Sequence, residues 1–178
     1  PVVSAYNGIV PIVPVPSSVA PLIAGTSTPK IWNPKRESYT TYTPNGVFPY
    51  LDTKGDITGY VIRVDFDEGK KITPSIMYCE TPNGQEFCHF SFPAPRGLYG
   101  LHALSDKPVL IVEGEKTADA AQRLLPHYPV ITWAGGTNSV RKTDWMPLEG
   151  KDIIIWGDAD EPGQKAALEV AEICGGRV

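Results

Sequence analysis

The sequence predicts an α/β chain in which a Rossmann-like parallel sheet flanked by helices follows a small antiparallel β-rich subdomain and a Pro-rich segment. Two runs predict the sheet: VLIVEGEKTADAA over 109–121 and DIIIWGDADEPGQKAA over 152–167. Each is an apolar β-branched stretch that stops at carboxylates and turns into a helical pattern, as strand-to-helix corners of a buried parallel sheet do. Ahead of them, short apolar runs alternate with turn residues, which is the texture of an antiparallel meander.

Nine of the 18 prolines fall in the first 50 residues, a stretch without helical or alternating periodicity. Residues 1–46 therefore read as an extended Pro-rich segment. Its first 30 residues form a linker, partly packed against the body. Residues 47–100 read as the β-rich subdomain, its strands separated by Lys54-Gly55-Asp56, Asp67-Glu68-Gly69 and Asn83-Gly84. From residue 101 strands and helices take turns. A strand is predicted over 109–112, a helix over 117–125 and a strand over 129–133. A Gly135-Gly136 loop and a basic helical segment over 139–145 follow, then a strand over 152–156 and a helix over 163–173. Right-handed crossovers make such a succession a parallel sheet. Arg177-Val178 reads as the entry to one more strand, so the domain at 101–178 is expected to be truncated at its C-terminus.

Composition narrows the function classes. A net charge of -4 and a pI near 5.4 leave no global footprint for nucleic acid, which counts against a dedicated binding module and requires any such contact to be local. The apolar opening is broken by prolines, lacks a basic n-region and has no initiator Met, so it reads as neither a membrane span nor a signal peptide. The expectation is a soluble, cytoplasmic piece of a longer protein. Three cysteines make no disulfide framework. A type I′ turn at Asn83-Gly84 would pair Pro82 with Gln85 and set Cys79 opposite Cys88. In a reducing compartment the two read as small buried hydrophobes ahead of a disulfide, and ahead of a zinc site with His89.

Glu113 closes the first run, and Asp158 and Asp160 close the second. Open α/β sheets put their ligands at such strand ends. With the two strands as neighbours the three acids converge, and like charges held that close need a counter-ion. A hard divalent cation, Mg2+ (or Mn2+), suits them, since it binds through one or two carboxylates while keeping waters and substrate phosphates. The competing account of Asp158 and Asp160 is a solvated turn with an N-cap, which explains one aspartate and leaves Glu113 unexplained.

Glu113-Gly114 at one strand end, then Asp158 and Asp160 at a later one with Gly163 opening a helix, resembles the Toprim domain. That fold is shared by bacterial-type primases, topoisomerases, OLD-family nucleases and recombination mediators. The flanking PYLDTKGDITGYVIRVDFDEGKKITP and RGLYGLHAL, with VLIVEGEKTADAA and IIIWGDADEPGQKAA, are similar to the primase part of phage, prophage and plasmid primase-helicase proteins. The resemblance implies a DNA primase catalytic fragment that makes RNA primers from NTPs on single-stranded DNA template, with a helicase domain or partner in the full-length protein. It implies that Glu113, Asp158 and Asp160 are catalytic and metal-binding, with Glu113 acting as a ligand or as general base for the attacking 3′ hydroxyl. Glu115 is either an outer-shell contact or a first-turn helix acid.

Gly114 would let backbone approach a phosphate, and Lys116, Arg141, Lys142 and Lys165 are candidate nucleotide or phosphate contacts. For each of the four, an exposed charge is the alternative account. Arg63, Lys70, Lys71 and Arg96 are candidate template contacts that would line a basic groove. Trp133, Trp145 and Trp156 could stack on bases, with burial expected for Trp133 and Trp156. Two rival functions remain open at this point: a Toprim metal-dependent nuclease using the same acids on water, and a non-catalytic Toprim module that binds DNA or a partner.

Overall fold

The structure is a computed structural model in which residues 8–33 and 36–178 are described. The chain forms two compact units, one drawing on residues up to Pro49 with Asp56–Phe92, the other on Tyr50–Gly55 with Pro93–Val178.

The first unit is antiparallel. Its strands are β1 (Val10–Pro11), β2 (Lys30–Asn33), β3 (Ser38–Thr41), β4 (Gly46–Leu51, whose last two residues belong to the other unit), β5 (Ile57–Asp65), β6 (Lys71–Ile72), β7 (Ser75–Thr81) and β8 (Gly84–His89). β7 is the spine: β8 runs along one edge, and β5 followed by β1 along the other. β6 and β7 pair with β5 in one continuous register, Val64 with Ile72 and Tyr60 with Ile76. The ladder breaks at Pro74, which has no N–H to contribute. Ile31, Tyr60, Ile62, Val64 and Ile76 form the buried core.

Part of the segment read as linker is built into this sheet. β1 pairs with β7, Ile12 N donates to Tyr78 O at 2.8 Å, and Val15, itself buried, donates to Ile57 O at 2.7 Å. The cysteine register also differs from expectation: Cys79 faces Glu86 and Cys88 faces Met77. Thr81 pairs with Gly84, so Pro82-Asn83 form the turn, and the Thr81 hydroxyl locks it by donating to Gly84 O at 2.8 Å and accepting from Asn83 N. Pro82 cannot donate to Gln85, as the expected register required. All three cysteines are free thiols, and burial pushes Cys79 up to about 12, helped by the adjacent Cys88.

The second unit holds β9 (Leu98–Tyr99), β10 (Val109–Val112), α1 (Glu115–Leu124), β11 (Val130–Trp133), β12 (Ile153–Trp156) and α2 (Glu161–Cys174), with a 3-10 turn at Thr137–Lys142. The sheet order is β12-β10-β11-β9, the first three parallel and β9 antiparallel. Alternation inside the apolar runs covers both faces. Val109 and Ile111 pack with Ile131, Ile153, Ile155 and α2's Ala166, Ala167 and Val170, while Leu110 and Val112 pack with Val130 and α1's Ala118. Both helices start earlier than the sequence suggested. Asp160 caps α2 and Pro162 occupies its first turn, where a missing N–H costs nothing. The expected strand entry forms at Arg177, which bridges to Ile154 in parallel. No helix among the described residues is long and apolar enough to cross a membrane.

Candidate functional site at the sheet edge

In the second unit the chain leaves β10 for β11 on one side and returns to β12 on the other. The strand order therefore reverses at β10, the position beyond whose carboxyl end open α/β sheets bind their ligands. Three corners meet this edge: Glu113-Gly114 after β10, Gly135-Gly136 after β11, and 157–160 after β12. Val112 is level with Trp156, which sets the first and third corners side by side.

The first corner is pinned. Gly114 takes φ +83°, a value side chains rarely adopt, and its N–H donates to Thr132 Oγ1 at 3.0 Å. A Cβ there would meet nothing within 4 Å, so the glycine serves this conformation rather than a crowded space. Glu113 is half-buried, and its Oε1 lies 4.0 Å from where a Cβ on Gly136 would sit, which turns the carboxylate toward the second corner.

The third corner is built around Gly163. Asp160 Oδ1 accepts from Gly163 N at 2.8 Å, so the N-cap account of this residue holds. A Cβ on Gly163 would come within 2.7 Å of Asp158 Cβ and 3.0 Å of Asp160 Oδ1. Asp158 and Asp160 are both exposed. Among the described residues no three His, Cys, Asp or Glu side chains gather closely enough to hold a metal ion by themselves. The edge thus gathers no three-acid cluster, and Asp160 is partly engaged as a cap.

Glu115, either an outer-shell acid or a first-turn acid in the sequence, is the buried one. It is 8% exposed and accepts from Tyr50 OH at 2.7 Å, with Tyr50 itself 1% exposed. Burial pushes the Glu115 carboxyl above its ordinary value, and the Tyr50 bond partly offsets this. Tyr99 OH donates to Asp119 at 2.7 Å, and the Tyr50 and Tyr99 rings tilt against each other with centroids 5.4 Å apart. Neither tyrosine nor Thr132 was singled out from sequence. The visible signals were a lone hydroxyl inside VITW and the Tyr of RGLYGL.

The basic candidates divide. Arg141 and Lys165 meet in a cleft of ≈ 630 Å³ that Thr137, Asn138, Glu161 and Glu169 also line, but Arg141 is ion-paired with Glu169 and lies 3.8 Å from Glu172. Lys116 and Lys142 are exposed. In the first unit Arg63 pairs with Asp65 at 2.8 Å and Lys70 with Glu68 at 2.9 Å, while Lys71 is exposed. Arg96 belongs to the second unit, where Nη1 donates to Ser139 Oγ at 3.0 Å. Trp133 and Trp145 are buried, their indole N–H groups donating to Gly136 O and Val140 O. Trp156, expected inside, is 65% exposed, because strand alternation turns it away from Ile153 and Ile155.

The fold is that of DNA primase catalytic domains. A bacteriophage T7 primase-helicase primase fragment superposes with a TM-score of 0.51 at 20% identity, over 86% of this chain and 69% of that one. A chain from the bacteriophage T7 lagging-strand DNA polymerase interacting with primase domains of two gp4 subunits, bound to an RNA/DNA hybrid and dTTP, gives 0.50 at 23% identity. There the match covers 76% of this chain, which spans 64% of the other's length. No curated protein matches the sequence. The family described as a domain of unknown function (DUF6371) matches residues 37–159, and the chain belongs to it.

Proposed function

We propose that this chain is the catalytic part of a DNA primase, joining ribonucleotides on a single-stranded DNA template. The observation that carries the reading is the primase-type fold with Glu113 and Asp158 at neighbouring strand ends of its switch point. In the reaction the 3′ hydroxyl oxygen of one nucleotide attacks the α-phosphorus of the next. A P–O bond forms, the bond to the β-phosphate oxygen breaks, pyrophosphate leaves and the hydroxyl gives up its proton.

The acids fit a hard divalent cation. Their donors are all carboxylate oxygens, and Mg2+ needs only one or two of them beside water and phosphate oxygens, so a three-acid cage is not required. Asp158 and Asp160 would hold it, with Glu113 as a further ligand or as the group receiving the hydroxyl proton. When bound, the ion would neutralise phosphate charge. Thr132 and Gly163 keep Glu113 and Asp158 in place, and Lys165 is available to phosphates across its cleft. The RNA/DNA hybrid and dTTP of the T7 assembly are the kinds of ligand this reading assigns here. A helicase domain or partner in the full-length protein belongs to the same proposal.

The test is incorporation of labelled ribonucleotides on single-stranded DNA with Mg2+ by wild type and Asp158→Ala. Template-dependent RNA from wild type, lost in the variant, supports the primase reading. Metal-dependent loss of the template itself, abolished by the same substitution, would reassign the chain to the nucleases.

A further inference from the structure

We infer that Asn83, at the tip of the β7–β8 hairpin, is a site of spontaneous deamidation, while Asn45-Gly46, the same dipeptide in the same unit, is protected by the fold. Asn-Gly occurs at 7–8, 45–46 and 83–84. Asn7 lies outside the described residues, which leaves two pairs to compare. Glycine matters at the second position because it brings no Cβ to hinder approach to its nitrogen. In the reaction Gly84 N attacks Asn83 Cγ. A C–N bond forms, the bond from Cγ to the side-chain nitrogen breaks, and that nitrogen leaves as ammonia with the proton that Gly84 N gave up. Water then opens the cyclic imide at either carbonyl. One opening leaves an aspartate, the other an isoaspartate whose main chain runs on through Cβ and Cγ.

Exposure does not separate the two asparagines, since both are exposed. What differs is how the amide is held. Asn45 is tied at both ends, its N donating to Arg63 O at 2.8 Å and its Oδ1 accepting from Asp65 N at 2.7 Å. Gly46 behind it is half-buried as the first residue of β4, and a Cβ there would lie 3.0 Å from Phe48 Cζ. Swinging Asn45 Cγ onto Gly46 N therefore breaks the Asp65 bond beside a crowded backbone. Asn83 is held through its backbone, N donating to Thr81 Oγ1 at 3.1 Å, and among the described residues no hydrogen bond holds its side-chain amide. Gly84 is exposed at φ +113°, and a Cβ there would meet nothing within 4 Å. It is also the last rung of the β7–β8 ladder, the end from which a hairpin opens. The product acts on this hairpin. A new carboxylate joins a tip that already carries Glu80 and Glu86, and isoaspartate adds a main-chain atom to a turn whose Thr81 hydroxyl bridges Asn83 N and Gly84 O.

The experiment incubates folded wild type in neutral buffer beside a sample kept unfolded in urea, with peptides mapped by mass spectrometry at intervals. Each conversion adds about 1 Da and one negative charge. In urea the two pairs should convert at similar rates. In the folded protein Asn83 should run about tenfold or more ahead of Asn45, the factor that hydrogen bonds of ordinary strength impose on opening. Asn83→Gln, at an exposed position, needs a larger ring for the same attack, so the mass gain in the hairpin peptide should vanish. Equal rates in the folded protein, an Asn83 that stays intact, or a preference for Asn83 that is the same in urea overturns the inference. A gain that persists in Asn83→Gln assigns the change to Gln85 and overturns it as well. No template, nucleotide or metal enters the measurement, so its outcome stands apart from the primase reading.

Discussion

Replacing Tyr50 with Phe removes a single oxygen from a buried position and leaves the Glu115 carboxylate without the donor that lies 2.7 Å away. The ring and its tilted contact with Tyr99 survive, so packing changes little. A hydrogen bond to a charged group contributes about 1.5–3 kcal/mol, and this is the loss expected near pH 7. The pH dependence sharpens the test. Burial already raises the Glu115 carboxyl above its ordinary value, and removing the Tyr50 bond raises it further. Across the interval between the unfolded and folded values, the folded protein binds more protons than the unfolded one. Stability therefore falls as pH rises through that interval, and the variant's interval reaches higher. The penalty of Tyr50→Phe should shrink toward about pH 4, where Glu115 is protonated in both proteins. Urea unfolding followed by tryptophan fluorescence at the two pH values measures it. A penalty that is equal at both, or below about 0.5 kcal/mol at pH 7, refutes a buried, charged Glu115.

Gly163→Ala should destabilise by about 1–3 kcal/mol and displace Asp158, since the new methyl lands 2.7 Å from Asp158 Cβ; thermal unfolding and primer synthesis should fall together. Thr132→Val, which keeps the shape of the side chain but removes the acceptor for Gly114 N, should cost about 1 kcal/mol and lower activity more than Thr132→Ser, which can keep the bond. Trp156→Ser, at an exposed position, should change stability by no more than about 0.5 kcal/mol in urea unfolding, because no core contact is lost.

The parallel sheet was readable because two of its strands, β10 and β12, are short apolar runs that stop at carboxylates, and the same ends name Glu113 and Asp158. Alternation within those runs carries a finer message, that one face packs on α1 and the other on α2, and it is here that Trp156 was misplaced. A β-branched run reads as buried throughout, whereas β12 has its Ile154 and Trp156 side open. The hairpin register was lost to one turn: Asn83-Gly84 is the stronger local signal, but the Thr81 hydroxyl and the missing N–H of Pro82 shift the turn by one residue. Asp160 could be read two ways, and both its cap geometry and its position at the edge were visible in DADEPG. The Tyr50–Glu115 contact joins residues 65 apart in sequence, and Arg96 meets the loop 38 residues away. No local pattern announces such pairings, because burial and the course of the chain create them.

The most direct measurement is template-dependent RNA synthesis by Asp160→Asn beside wild type, with unfolding followed in parallel. Asn caps a helix about as well as Asp, so stability should hold to within a few tenths of a kcal/mol, while the lost carboxylate charge should abolish synthesis that wild type performs with Mg2+. Synthesis at the wild-type rate in the stable variant would reduce Asp160 to a helix cap and contradict the catalytic role assigned to this edge.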